Sequence, residues 1–151
     1  MVASKCELFL QGAQWPVMAD IHTFLIGIHS LVRWFVLSLA LAGAARSLVS
    51  LLTREAIFMR LDVGLSNAYA GILDLQGLLG VLLIITALIL QIGIPWLHPI
   101  IMIPAIIVAH QNRRFREKPD RMRHQAQLAI YVLSLVLVAI GLLVIGQLRL
   151  P

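Results

Sequence analysis

Few residues in this chain have side chains able to do chemistry, and most of them lie inside apolar stretches. Within those stretches stand His29, Arg33, Asp74 and Gln76, with His22, His98 and His110 near their ends. A polar or ionisable group in a bilayer is costly enough to be a functional candidate by default. Two imidazoles can serve as the axial ligands of a haem iron. A buried Arg–Asp pair can neutralise two charges and fix helix register. An arginine can also face a cofactor carboxylate or a quinone oxygen, with a neighbouring aspartate passing protons. No nucleophile–base arrangement, glycine-rich phosphate loop or metalloprotease histidine pair is visible, so independent enzymatic turnover has no motif to rest on. Cys6 is the one cysteine, which leaves no disulfide within the chain and argues against a structural zinc site.

Helical spacing sorts these candidates. His22, His29 and Arg33 fall at i, i+7 and i+11 and share one face of a helix, as do Asn67 and Asp74 at i and i+7. Arg33 sits near the middle of its stretch and Asp74 about five residues from the centre of its own, an offset of ~7 Å that an arginine side chain can cover. One reading is an Arg33–Asp74 ion pair that fastens two helices. The other turns Arg33 to a cofactor or quinone. His29 lies ~10 Å and His98 ~5 Å from the same membrane face, a difference that tilt and a kink at Pro104 absorb. Two imidazoles from facing helices in one leaflet suit a six-coordinate b-type haem. That site requires ring nitrogens ~4 Å apart and a flat apolar slot lined by residues such as Ile26 and Met102. His22, His110 and His124 read as interfacial histidines bonded to water or a carbonyl. Gly71, Gly77 and Gly80 read as close-packing positions.

The elements that must carry these residues are membrane helices. The chain of 151 residues is 60% hydrophobic and 13% charged, with a mean hydropathy of +0.94. Soluble domains are nearer ~45–50% apolar and about a quarter charged, which excludes a soluble globular protein. Apolar runs cover residues 23–45, 68–94, 95–109 and 126–145. A ~30 Å hydrocarbon core takes ~20 apolar residues, so the chain reads as an all-α bundle of four transmembrane helices. Residues 1–21 then form an extracytoplasmic segment, in which residues 1–17 read as neither a helix nor a signal peptide with a clear cleavage site, and residues 22–151 form the membrane domain. Met18 is a conceivable second translation start. Pro95 suits the first turn of the third helix. The formal charge of +5 resembles that of a nucleic-acid binder until the charges are located. Arg46, Arg54 and Arg60 fall between the first two runs, and Arg113, Arg114, Arg116, Lys118, Arg121 and Arg123 between the last two. These read as topology signals: both basic loops face the cytoplasm, both termini face outside, and Arg149 is outvoted.

Three strings carry a resemblance: His29-Ser30-Leu31-Val32-Arg33-Trp34, Asp74-Leu75-Gln76-Gly77-Leu78-Leu79-Gly80, and His98-Pro99-Ile100-Ile101-Met102. With the basic third loop they resemble a family of small four-helix bacterial membrane proteins labelled cytochrome b or cytochrome b-like, over about residues 22–146. The resemblance implies an inner-membrane, multi-pass protein in which His29, Arg33 and His98 are the cofactor-binding positions and haem b is the cofactor. Where those proteins often carry histidine in helix two this chain has Asp74, and where glutamate often precedes the His-Pro pair it has Leu97. Two functions stand at this point. One is a small cytochrome that passes electrons near the outer leaflet, with a quinone as one partner. The other is a non-catalytic accessory subunit of a respiratory or photosynthetic complex, whose polar residues only fasten helix to helix.

Overall fold

The computed structural model describes the backbone of residues 3–53 and 57–146, and side chains from residue 16 onward. Arg54, Arg149 and the side chains of Lys5, Cys6, Glu7 and Trp15 lie outside the described residues. Four α-helices follow in order: α1 (Ala3–Leu52), α2 (Arg60–Ile89), α3 (Leu97–Ala109) and α4 (Asp120–Val144), with a 3-10 turn over His110–Phe115 after α3. No strand occurs among the described residues. Three segments are long and apolar enough to cross a membrane: Pro16–Leu52, Arg60–Ile89 and Asp120–Val144. The 13 residues of α3 rise only ~20 Å, and the 3-10 turn adds ~12 Å.

The helices run past the apolar stretches that announce them. Residues 3–15, expected to be non-helical, continue α1, because Ala, Lys, Glu, Leu and Gln are good helix formers and no proline precedes Pro16. α2 begins at Arg60 and not near residue 68. Its first turn is held by Asp62, whose Oδ2 accepts the Met59 amide at 2.8 Å. α4 likewise begins at Asp120, behind Pro119. α2 stops at Ile89 through a Schellman pattern: Ile92 N–H donates to the Ala87 carbonyl at 2.9 Å and Gln91 N–H to that of Leu88 at 3.2 Å. The left-handed residue is Gln91, with φ 56°. Pro95 lies before α3, and Pro99 occupies its first turn instead.

Each helix is antiparallel to its neighbours. α1 packs on α2 and α4, and α3 packs on the same two, so α1 and α3 stand on one diagonal of a four-cornered bundle. Small residues let the backbones approach: Ala40, Ala105 and Ala109 are fully buried, and a Cβ on Gly43 would overlap the Tyr131 ring. The burial pattern reverses that of a soluble protein. Phe24, Leu31, Trp34, Phe35, Leu78 and Ile100 lie on the outside, while Ser47, Asp62, His124, Gln127 and Ser134 are buried. A hydrocarbon solvent accounts for both halves of that pattern.

Candidate functional site

At the end of the bundle formed by the α2–α3 hairpin, α1 and α3 aim two histidines at each other across the diagonal. The His29 and His98 rings stand 6.5 Å apart between centres, with planes inclined by 75°. His98 enters because it sits in the first turn of α3 beside Gly141 of α4. A Cβ on that glycine would fall 3.3 Å from His98 Nδ1 and against Met102 Cε. His29 faces α2, where the nearest atom to a Cβ on Gly80 would be His29 Cε1, at 3.8 Å. Each imidazole is thus seated on a glycine of the helix next to its own.

Hydrogen bonds fix which nitrogen of each ring carries a proton. A backbone carbonyl can only accept, so His98 Nδ1, 2.9 Å from Gly141 O, donates, which in the neutral ring places the lone pair on Nε2. Gln76 Nε2 lies 3.0 Å from the His29 carbonyl and 3.0 Å from His29 Nε2. The carbonyl fixes the orientation of the amide, so the same NH2 group donates to His29 Nε2 and the proton resides on Nδ1. His29 Nδ1 and Gln76 Oε1 are buried without a partner among the described residues, and each such atom costs roughly 1–3 kcal/mol.

The 6.5 Å between ring centres is close to the spacing of two imidazoles on one metal ion. A metal–nitrogen distance of ~2.0 Å puts two ligating nitrogens ~4 Å apart and their ring centres ~6 Å apart. In the neutral tautomers that these bonds select, each Nε2 carries the lone pair that ligation requires, and the Gly141 carbonyl orients His98 as an outer-shell partner does in metal sites. Gln76 occupies the nitrogen that His29 would offer, so ligation there exchanges one hydrogen bond for one metal bond. Of the expected slot residues, Met102 lies beside His98, but Ile26 is 47% exposed and turned outward. It stands three positions before His29, which is ~60° around the helix.

Other candidates are placed differently. Arg33 follows His29 by one turn, its guanidinium carbon 5.7 Å from the centre of the Trp34 ring. The Asp74 carboxylate, expected opposite Arg33, is met by His110 of the 3-10 turn, Nε2 to Oδ1 at 2.9 Å. Among the described residues, Arg46 of α1 and Asp62 of α2 form an ion pair at 3.1 Å, with the Asp62 side chain fully buried. The reason is azimuth: Asp74 lies two residues, or ~200°, from Gln76, so it turns to α3 while Gln76 faces α1. His22 Nδ1 meets Thr86 Oγ1 at 2.7 Å, and that hydroxyl also lies 3.1 Å from the Leu82 and Leu83 carbonyls. His124 is fully buried within the bundle, its Nε2 3.4 Å from the Ile57 carbonyl. Gly77 packs closely, with Ile106 Cδ1 2.8 Å from a Cβ placed there, whereas a Cβ on Gly80 would make ordinary contact at 3.8 Å and one on Gly71 would meet nothing within 4 Å.

Sequence reasoning passed over a second polar cluster in the basic half of the bundle. Gln127 Nε2 donates to the Asp62 carbonyl at 2.9 Å and to Tyr131 Oη at 3.3 Å, and Ser47 Oγ donates to Gln127 Oε1 at 3.4 Å. Tyr69 Oη donates to Ser134 Oγ at 2.6 Å, and the Tyr69 and Tyr131 rings meet edge-on at 5.2 Å. The i, i+4 spacing of Gln127 and Tyr131 was the available signal. The cluster fastens α1, α2 and α4 together and presents no group to solvent. No protein-family model, curated protein or solved structure matches this chain.

Proposed function

We propose that this chain is a small cytochrome-b-like membrane protein that holds one haem b between His29 and His98. The observation that carries the reading is the 6.5 Å separation of the two rings across the bundle diagonal. It is supported by the Gly141 carbonyl, which holds His98 Nδ1 as a donor, and by the two buried atoms at His29 and Gln76 that lack partners among the described residues. When bound, a haem supplies one-electron transfer. The chain's own part is to orient two imidazoles, exclude water with an apolar exterior, and keep a cation, Arg33, one turn from His29. In this reading α3 with its 3-10 turn completes a fourth crossing, both termini lie outside, and Arg113 to Arg123 face the cytoplasm of a bacterial inner membrane.

Titration of the purified, haem-free chain with hemin tests the proposal. Wild type is expected to take up one equivalent with a low-spin spectrum, and His29→Ala and His98→Ala each to lose it while keeping wild-type helix content. Uptake unchanged by both substitutions would remove the site. In that event the accessory-subunit reading, with polar residues serving only to hold helices together, becomes the better one.

A further inference from the structure

The basic end of the bundle carries a groove that the paired histidines do not use. Two cavities of about 270 and 350 Å³ open between the start of α2 and the 3-10 turn. They share Ser66, Asn67, Asn112, Arg113 and Arg116, so they form one continuous groove. At the shared wall Asn112 Nδ2 donates to Ser66 Oγ at 2.5 Å. One end is lined by Phe58, Val63, Phe115 and Arg123. There the Arg123 guanidinium lies 3.7 Å from the centre of the Phe58 ring and 3.4 Å from Asp120. The other end holds Asp74, already engaged by His110.

The groove sits where a headgroup would. Counting ~20 residues of hydrocarbon back from Ile89 reaches about Ala70, which leaves Ser66 and Asn67 at headgroup level and Asp74 about one turn inside. Arg113 and Arg116 are exposed, and neither is in an ion pair among the described residues. Arg113, Arg116 and Arg123 line the groove against one carboxylate, Asp74, so its net charge is positive, which favours an anion over a zwitterion. Phe58, Val63 and Phe115 provide an apolar wall for the start of an acyl chain, which a free phosphate ion would not need. The geometry points to a binding site for an anionic phospholipid. Arg113 and Arg116 hold its phosphodiester, and Asn67, Asn112 and the Asp74–His110 pair receive the hydroxyls of a glycerol headgroup.

The full chain in a neutral detergent, studied by native mass spectrometry with added lipid, tests this. Phosphatidylglycerol is expected to bind at least ten-fold more tightly than phosphatidylcholine, and inorganic phosphate at the same concentration not to displace it. Arg113→Gln with Arg116→Gln should erase most of that preference. Lys118→Gln with Arg121→Gln, which removes equal charge outside both cavities, should change it less than three-fold. Asn67→Leu, which narrows the groove at constant charge, should also weaken binding. Equal losses in the two charge-matched variants would mean diffuse attraction and overturn the site. So would equal binding of both lipids, displacement by phosphate, or unchanged binding in Asn67→Leu.

Discussion

Replacing Gly43 by alanine tests the packing account at its tightest point. Gly43 of α1 faces Tyr131 of α4, which is fully buried. A Cβ at Gly43 would overlap the ring and stand 2.6 Å from its hydroxyl oxygen. The ring has nowhere to retreat, because Tyr69 backs it at 5.2 Å and Gln127 donates to its hydroxyl at 3.3 Å. Overpacking costs ~1–3 kcal/mol and the disturbed hydrogen bond ~0.5–1.5, while the better helix propensity of alanine returns ~1, for a net loss of about 2 kcal/mol. Gly71→Ala is the control: nothing lies within 4 Å of its Cβ, so only the propensity gain of up to ~1 kcal/mol remains. Unfolding of the full chain in mixed micelles by increasing SDS fraction reads both variants. Adding Tyr131→Leu to Gly43→Ala should recover part of the loss, giving a double mutant less damaged than the sum of the singles. If Gly43→Ala is as stable as Gly71→Ala, the α1–α4 contact described above is wrong.

Three further outcomes are expected. Asp62→Ala removes the partner of Arg46 and the acceptor for the Met59 amide. Arg46 is 32% exposed and can turn to water, so the loss should be about 2 kcal/mol, below the ~3–5 kcal/mol of a fully buried pair, and Asp62→Asn should cost about half as much in the same unfolding assay. Gln91→Gly relieves a left-handed residue at φ 56° and should stabilise the chain by about 1 kcal/mol, read as a higher midpoint. Lys118→Cys in a Cys6→Ser background should resist impermeant thiol reagents applied to intact cells, and ready labelling there would reverse the proposed orientation.

Helix number and order were legible because hydrocarbon demands long apolar runs and the hairpin residues interrupt them. The helix ends were not, since Arg60–Asn67 and Asp120–His124 continue as helix on propensity and capping after hydropathy has faded. For the site, seven-residue spacing did place His22 and His29 together against α2, and Asn67 and Asp74 together on the groove. Spacing gives a residue's azimuth on its own helix but not which helix stands opposite. Asp74 was therefore matched to Arg33 while the structure sets His110 against it, and Asp62, the buried partner of Arg46, stands before the second apolar run and drew no notice. Tyr69–Ser134 and Gly43–Tyr131 join residues 65 and 88 positions apart, and nothing local to either announces the other.

The central claim is that His29 and His98 share one iron. Its most direct measurement is the absorption spectrum of the full chain purified from haem-replete cells, recorded oxidised and then reduced with dithionite. The account predicts one haem b per chain, six-coordinate and low-spin in both states, with the narrow reduced bands absent from His98→Ala. A well-folded wild-type protein that carries no haem and takes up no added hemin would contradict it.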